Sequence, residues 1–419
     1  EYDALLRKLS RADDGEVNAF LERYDGTVVA QRLRQRWLTS LAKRDQWQRF
    51  IAFYVPSSNV TLACYYLQAL IETGRTADAL PQVDAIWMHG KSRPKACDPV
   101  FQAWEKAGRR NDDKTWQRIA LAMQAGETRL ARYLSRSLSQ DDRAWVARWI
   151  GLRANPQGID GKGFETRHPY REEMLAQATR RLAVRDGLDA LLRWQRIKPR
   201  YDFTPEQIEA TEHYLVRNLV RVADPQAYDF VRQVDMGNAD EKALNARVRA
   251  GLMRQDWSQV AAWIEQLPPE LRTTPRWRYW EARAYEGMGD PETAERLYTE
   301  VAGDRSYYGF MAADRVDLSY HLDHAETPID PAAHQQILAM GPVQRAREFY
   351  FLERWPEARR EWLDATRDMD TAQLKAAAKI AEQKGWHDRA IFTLAKTGFW
   401  DDLELRFPLE HTHLVERYA

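Results

Sequence analysis

The two cysteines of the chain, Cys64 and Cys97, are the residues best able to form a covalent or metal-bound site. A metal site is disfavoured because the histidine nearest to them in the sequence, His89, stands alone, and zinc sites usually need four ligands. Two alternatives stay open, a pair of buried thiols and a disulfide. A disulfide would close a loop of about 34 residues, stabilise the fold by roughly 3–4 kcal/mol and indicate an oxidising compartment.

A second candidate, Gly90–Ser92, is similar to the end of a phosphate-binding loop. That motif requires a glycine five residues earlier, where this chain has Ala85, and a preceding strand, which the sequence does not predict. The Gly-x-Ser-x-Gly elbow of hydrolases and the His-Glu-x-x-His pattern of zinc proteases do not occur either. No carboxylate lies in an apolar run where burial would raise its pKa enough for acid catalysis. We therefore predict no catalytic residue and no cofactor.

Histidines form two close pairs, His321 with His324 and His411 with His413. Neither pair has a carboxylate or a third histidine at a ligand-like helical offset, so surface or capping roles are favoured over a metal site. We predict no metal ion.

The composition excludes several classes of protein. With 62 basic and 62 acidic residues, no overall charge favours nucleic acid or an anionic membrane. No apolar run reaches the roughly 18–20 residues that a membrane helix needs. The sequence begins at Glu1 without a methionine, which is typical of a processed product. We expect a soluble, exported protein whose signal peptide has been removed.

The elements that hold these residues are predicted to be helices, which makes the fold all-α. At Thr204 a capping side chain precedes Pro205 at the first helical position, and apolar residues then recur at helical spacing. Alternating runs of Val, Ile and Thr, typical of strands, are nearly absent. The same helix start is predicted at four Asp-Pro pairs, which begin at Asp98, Asp224, Asp290 and Asp330.

The helices recur in pairs separated by short breaks. The clearest pair spans residues 277–298, where Gly289 ends one helix and the next begins. The intervals 74–108 and 255–289 match the 34-residue tetratricopeptide period, whereas the others are irregular. We therefore predict a degenerate solenoid of helical hairpins stacked into a superhelix, with the 16 tryptophans as wedges between hairpins rather than platforms for sugar rings. The further breaks are predicted near Gly74, Gly108, Gln255 and Gly385.

Two segments interrupt the helical pattern. Residues 155–170 are rich in glycine and proline, which predicts a loop or a kink. Residues 321–331 are polar and contain two prolines, and we place a domain boundary there, between residues 328 and 329.

Several segments, in order along the chain, resemble those of one protein family, the soluble lytic murein transglycosylases. These periplasmic enzymes cleave the glycan strands of bacterial peptidoglycan. Between about residues 130 and 250 no sharp motif contributes to the resemblance. The segments are Tyr65–Tyr66, Trp87, Gly90–Ser92, Pro94, Ala96–Asp98, Arg118–Gly126, Trp277–Trp280, Tyr307–Arg315 and Phe399–Leu409.

The resemblance implies a ring-shaped α-superhelical domain over residues 1–328 and a small helical linker domain over residues 329–419. A lysozyme-like catalytic domain is expected after Ala419. The resemblance also implies a disulfide between Cys64 and Cys97 and a periplasmic location. The partners it implies are peptidoglycan glycan strands and proteins of cell-wall synthesis or remodelling, with no nucleic acid and no membrane span.

Members of the family cleave the MurNAc-GlcNAc β-1,4 bond and leave 1,6-anhydroMurNAc ends. Their catalytic glutamate stands in a Glu-Ser motif, followed by Gly-Leu-Met-Gln and Ala-Tyr-Asn-Ala-Gly. This sequence holds only imperfect copies, because Gly251–Arg254 ends in arginine and Ala284–Gly287 lacks the asparagine. The resemblance thus implies a scaffold part without activity of its own. Composition alone favours an alternative, a stand-alone solenoid adaptor that binds a protein partner in the cell envelope.

Overall fold

The computed structural model describes residues 1–409 and 412–418. Its contacts group into two compact units: one comprises residues 1–79 and 322–419, the other residues 80–321. Helices form both units, and no strand occurs within the described residues. The all-α prediction is confirmed.

Seven-residue to fifteen-residue helices dominate the chain. The first six are α1 (Tyr2–Arg7), α2 (Asp14–Arg23), α3 (Val28–Ala42), α4 (Trp47–Phe53), α5 (Val60–Glu72) and α6 (Thr76–Trp87). The next seven are α7 (Asp98–Lys106), α8 (Asp112–Ala125), α9 (Thr128–Leu134), α10 (Gln140–Ala154), α11 (Arg171–Arg185), α12 (Gly187–Ile197) and α13 (Pro205–Leu219). Then follow α14 (Pro225–Gln233), α15 (Glu241–Leu252), α16 (Trp257–Glu265), α17 (Pro269–Arg272), α18 (Pro275–Met288), α19 (Pro291–Ala302) and α20 (Tyr307–Ala313).

The remaining helices lie in the C-terminal part of the chain, and short 3₁₀ turns interrupt the earlier part. The helices are α21 (Pro331–Ala339), α22 (Gly341–Phe351), α23 (Trp355–Ala365), α24 (Thr371–Gln383), α25 (His387–Ala395), α26 (Leu403–Arg406) and α27 (Thr412–Tyr418). The 3₁₀ turns are Lys95–Cys97, Ser135–Ser137, Pro156–Asp160 and Lys198–Arg200.

Hairpins stack by contacts between neighbouring and next-but-one helices. In the unit of residues 80–321, α11 packs on both α12 and α13, α13 packs on α15, and α16 packs on α18. In the other unit α22 packs on α23 and α24 on α25, while α23 also contacts α3 from the start of the chain. A single amphipathic hairpin leaves one apolar face exposed, and stacking buries it against the next. The predicted array of helical hairpins is confirmed.

The predicted breaks between helices are left-handed turns. Gly289 ends α18 with a φ of 82°, a backbone conformation that glycine adopts without steric cost. Gln255 has the same conformation with a φ of 53° although it carries a side chain. The other predicted breaks, at Gly74, Gly108 and Gly385, have φ values of 81°, 69° and 70°.

The predicted helix starts are confirmed except at Asp98. Thr204 accepts a hydrogen bond from the Gln207 backbone and forms a capping box with it. Asp98 instead lies inside α7, because the 3₁₀ turn Lys95–Cys97 runs directly into that helix and leaves Cys97 at the N-cap position. The carboxylates of Asp224, Asp290 and Asp330 accept from the backbone of the first helical turn, as predicted.

Most large tryptophans pack inside the helical layers. Trp355 and Trp400 are about half exposed, at 49% and 47%. Burial in the hairpin core agrees with a packing role for the ten buried tryptophans, and four more are partly buried. The largest fully buried side chains include Trp37, Trp104, Trp149, Trp194, Trp277 and Trp362.

The two predicted interruptions of the helical pattern are present. After α10, residues 155–170 hold only the 3₁₀ turn Pro156–Asp160, and helix resumes at Arg171. Residues 318–330 contain neither helix nor strand. The boundary between residues 328 and 329 stays a prediction. Within the described residues, every helix is too short or too polar to cross a membrane.

Candidate functional site

Both cysteines that the sequence singled out are fully buried and disulfide-bonded. Cys64 lies in α5 and Cys97 ends a 3₁₀ turn, each with 0% exposure. Neither is a free thiol. The alternative of two buried thiols is therefore wrong, and the chain contains a disulfide. It is a structural bond and offers no reactive sulfur.

The segment that connects α6 to the 3₁₀ turn is held close to α8 by a glycine. A Cβ built on Gly90 would lie 2.5 Å from the carbonyl oxygen of Leu121 in α8, closer than real Cβ contacts come. Gly90–Ser92 therefore serves close packing and lies in a bend, not after a strand. His89 accepts a hydrogen bond at Nδ1 from the Lys91 backbone, 3.1 Å away.

Two arginines donate hydrogen bonds to the backbone at or next to the same segment. Arg93 donates from Nε to the carbonyl oxygen of Ile86 over 2.8 Å. Arg118, in α8, donates from Nε to the carbonyl oxygen of His89 over 3.3 Å. These bonds use only the Nε groups and leave the terminal amino groups of both guanidinium ions for other partners.

Beside this segment lies a cavity of about 490 Å³, which we name the Arg118 cavity. Aromatic side chains form part of its wall, and the Arg118 guanidinium lies over two of them, 4.6 Å from the ring centre of Trp87 and 5.7 Å from that of Phe101. Tyr133, 62% exposed, lines the cavity from α9. Five basic and two acidic side chains also line it: Arg93, Lys95, Arg110, Arg118, Arg129, Asp98 and Glu105.

The positive charge of the Arg118 cavity is only partly compensated. Glu105 is bound to Arg110 at 3.0 Å, and Arg110 also donates to Ser137 over 2.6 Å. Arg118 is 4% exposed, and the described part of the chain places no carboxylate at ion-pair distance from it. Burial, together with the nearby charges of Arg93 and Arg110, lowers the pKa of Arg118 to about 10. The cavity therefore holds a buried cation that still prefers an anionic partner.

Sequence reasoning missed Arg118 as a site residue, although a signal was present. In α8 the buried positions include Thr115, Ile119 and Ala122, and Arg118 falls on the same helical face. A charged residue on a core face is rarely buried unless paired or functional. Tyr133 and Phe101 carried no comparable signal, because their places in the cavity wall depend on how the helices pack.

Two other surfaces carry less specific chemistry. A groove of about 700 Å³ is lined by basic residues that include Arg221, Lys242 and Arg249. These three residues are exposed to solvent. A second cavity, of about 550 Å³, lies beside exposed Phe351 and Trp355 in the other unit. Neither encloses a buried charge, so neither selects a ligand as strongly.

The buried carboxylates are all bound to cations, which argues against a catalytic acid among them. Within the described residues three carboxylates are buried, with exposures of 5%, 1% and 1% for Glu281, Glu361 and Asp402. A general acid needs a carboxyl group kept protonated by apolar surroundings, whereas a nearby cation favours the ionised form. The pairs are Glu281 with Arg272 and Arg278, Glu361 with Arg345, and Asp402 with Lys379.

Of the candidate histidines, His324 serves local structure. His324 accepts a hydrogen bond at Nδ1 from the Leu403 backbone over 3.2 Å. His411 lies outside the described residues, as does the side chain of His413. Over residues 1–409 and 412–418, no group of three or more His, Cys, Asp or Glu side chains is placed to hold a metal ion.

The imperfect motif copies lie within helices. Gly251–Arg254 covers the end of α15 and the turn after it, and Ala284–Gly287 lies inside α18. Glu286 in the second copy binds Arg283 and Arg315, and Tyr298 donates to it over 2.6 Å. Both segments are used for helix packing.

Comparison with known proteins identifies one family. The model of the soluble lytic murein transglycosylase L domain matches residues 337–403. The soluble lytic murein transglycosylase of Escherichia coli K12 is 28% identical over the whole chain, and the chain spans 65% of its length, just under two thirds. The corresponding Salmonella typhimurium protein is 27% identical with the same coverage.

Solved structures agree with the sequence matches. The lytic transglycosylase Slt of Pseudomonas aeruginosa, solved as an inactive mutant, is 32% identical, and its TM-score is 0.87 over 99% of this chain and 68% of that one. A complex of a 70-kDa soluble lytic transglycosylase with bulgecin A is 25% identical, with a TM-score of 0.85 over 100% of this chain and 68% of that one.

Proposed function

This chain belongs to the soluble lytic murein transglycosylase family, and we propose that it is the helical scaffold of such an enzyme. In this role it encloses and positions peptidoglycan strands, and cleavage takes place outside these 419 residues. The products expected of the whole protein are glycan strands with 1,6-anhydroMurNAc ends. The single observation that carries the proposal is the ordered match over 99% of the chain with the Pseudomonas aeruginosa enzyme.

The internal chemistry of the chain supports a scaffold role. A lytic transglycosylase needs one carboxyl group that is protonated at the start of the reaction, so that it can act as an acid and then as a base. Among the buried carboxylates, Asp402 has the opposite property. Burial raises its pKa, but hydrogen bonds from Thr327 and Leu405 and the charge of Lys379 outweigh that effect and lower it. A carboxylate of lowered pKa is a poor proton donor.

We propose a periplasmic location for the protein. A disulfide between two fully buried cysteines is typical of an oxidising compartment. The balanced charge of the chain favours neither nucleic acid nor an anionic membrane as a partner.

Co-sedimentation with purified, insoluble peptidoglycan tests the proposal. We expect the chain to sediment with peptidoglycan and to release no 1,6-anhydro products from it, because binding and cleavage are separated. The isolated catalytic domain of a family member provides the positive control for cleavage. A chain that stays in the supernatant but binds one envelope protein tightly would instead be the solenoid adaptor, and the scaffold proposal would be wrong. Release of anhydro products by the chain alone would contradict the separation of the two roles.

A further inference from the structure

The Arg118 cavity combines a buried cation with aromatic side chains in one partly open space. Arg118 is buried, with 4% of the residue exposed, and its one side-chain hydrogen bond within the described residues joins Nε to a backbone carbonyl. Removing a cation from water without a counter-charge is costly, and a carboxylate ligand would restore the lost interactions.

Two further cations near Arg118 strengthen the preference of the cavity for an anionic ligand. Arg93 and Arg110 lie close enough to destabilise the charged form of Arg118, and both line the same cavity. Of the two acidic residues in the wall, Glu105 is already bound to Arg110, and Asp98 is exposed in the first turn of α7. The interior therefore carries unbalanced positive charge, which a neutral sugar ring cannot compensate.

The aromatic residues of the cavity wall indicate which chemical group of the ligand lies next to its anionic group. Trp87 holds a guanidinium over its ring and Phe101 flanks it, so the space beside the charge is apolar. Tyr133 stands exposed on the wall, where it can cover a small apolar group. A carboxylate next to a small apolar side chain fits this combination, and the chain end of a short peptide has that chemistry.

We propose that the Arg118 cavity binds the free carboxylate of a peptidoglycan stem peptide. This assignment of the peptide source rests on the proposed function. In peptidoglycan the glycan backbone itself is largely uncharged, whereas the stem peptides end in an alanine with a free carboxylate. The cavity would then fix the scaffold to the peptide side of the polymer while other surfaces face the sugars.

The experiment uses Nα-acetyl-lysyl-D-alanyl-D-alanine as the probe, with its C-terminal amide as the matched ligand, in calorimetric titrations of the whole chain. We expect the free acid to bind and the amide to bind at least tenfold more weakly, since a charge-assisted hydrogen bond is lost. Equal binding of acid and amide, or no binding of the acid, would overturn the proposal.

Three variants locate the binding. Arg118→Met removes the cation at similar volume and is expected to abolish the difference between acid and amide. Tyr133→Ala changes an exposed side chain on which folding does not depend. We expect this variant to bind the free acid at least threefold more weakly. Arg254→Met is the control, because Arg254 also lies over an aromatic ring, 4.3 Å from that of Tyr228, but outside the cavity. Unchanged binding in both cavity variants would contradict the assignment.

A comparison of polymers separates this inference from the proposed function. The chain is sedimented with intact peptidoglycan and with glycan strands freed of peptides by an amidase. We expect several-fold weaker retention on the peptide-free strands. Equal retention on both polymers would overturn the stem-peptide site and leave the scaffold role intact. No retention on either would contradict the scaffold role, while acid-selective tripeptide binding would still support a carboxylate site.

Discussion

Asp402 and Thr327 are joined by two hydrogen bonds across 75 residues of sequence. Both the backbone nitrogen and the Oγ1 of Thr327 donate to Oδ2 of Asp402, over 2.9 Å and 2.7 Å. The other oxygen, Oδ1, accepts from the backbone of Leu405 over 3.0 Å. Lys379 lies 3.7 Å away. One buried carboxylate thus holds the segment before α21 against the start of α26.

Asp402→Asn is expected to destabilise the unit of residues 1–79 and 322–419. The amide keeps the volume but replaces a charged acceptor with a neutral one beside three donors, and such a loss costs about 1–3 kcal/mol. Urea unfolding followed by tryptophan fluorescence measures the change. Thr327→Val and the double variant complete a cycle, and additive effects of the two substitutions would show that the pair is not coupled.

The same carboxylate makes stability depend on pH. Its pKa in the folded state is lowered from 3.8, because hydrogen bonds and Lys379 outweigh the opposing effect of burial. The stabilisation is therefore fully present above the unfolded pKa, near 4, and is lost as the pH falls through the lower folded value. We expect the difference in unfolding free energy between wild type and Asp402→Asn to shrink below about pH 4. A difference that stays constant down to pH 2.5 would contradict this assignment.

Local rules predicted the helices well, because caps and left-handed turns depend on neighbouring residues. Thr204 and Gly289 are examples, since each acts within one turn of its own helix. The prediction of Asp98 as the capping residue was wrong, because a 3₁₀ turn directly before it makes Cys97 the N-cap residue. The Arg118 cavity was beyond local rules, since its wall comes from α6, α7, α8 and α9 and depends on tertiary packing.

Gly90→Ala is expected to destabilise the unit of residues 80–321 by about 1–3 kcal/mol, the usual cost of overpacking. The added methyl group would meet the Leu121 carbonyl oxygen at 2.5 Å, and backbone cannot yield as a side chain can. Thermal unfolding measures the change. Gly151→Ala is the control, because Gly151 lies in the last turn of α10 and a Cβ there meets nothing within 4 Å. That substitution should stabilise by up to about 1 kcal/mol, and equal effects at both glycines would refute the close-packing argument.

The disulfide is expected to join Cys64 to Cys97 and to stabilise the fold. Peptide mapping without reduction should yield one cross-linked peptide pair that disappears on reduction. Replacing both cysteines by alanine should lower the unfolding free energy by roughly 3–4 kcal/mol, the chain-entropy value for a loop of about 34 residues. Reduction should have no further effect on that double variant. A cross-link between two different molecules, detected as a dimer without reductant, would contradict the pairing.

Glu361→Gln tests whether the buried carboxylates serve structure alone. Glu361 is 1% exposed, and its Oε2 accepts from Nη2 and Nε of Arg345 over 2.9 Å and 3.0 Å. Removing its charge leaves the guanidinium of Arg345, which is 35% exposed, facing a neutral acceptor, and this costs about 1–3 kcal/mol. Glu348→Gln is the matched control, because Glu348 pairs with Arg347 at 3.4 Å on an exposed surface and should change stability by less than about 0.5 kcal/mol. If Glu361→Gln keeps full stability but loses peptidoglycan binding, the carboxylate acts on the ligand and its assignment to the core is wrong.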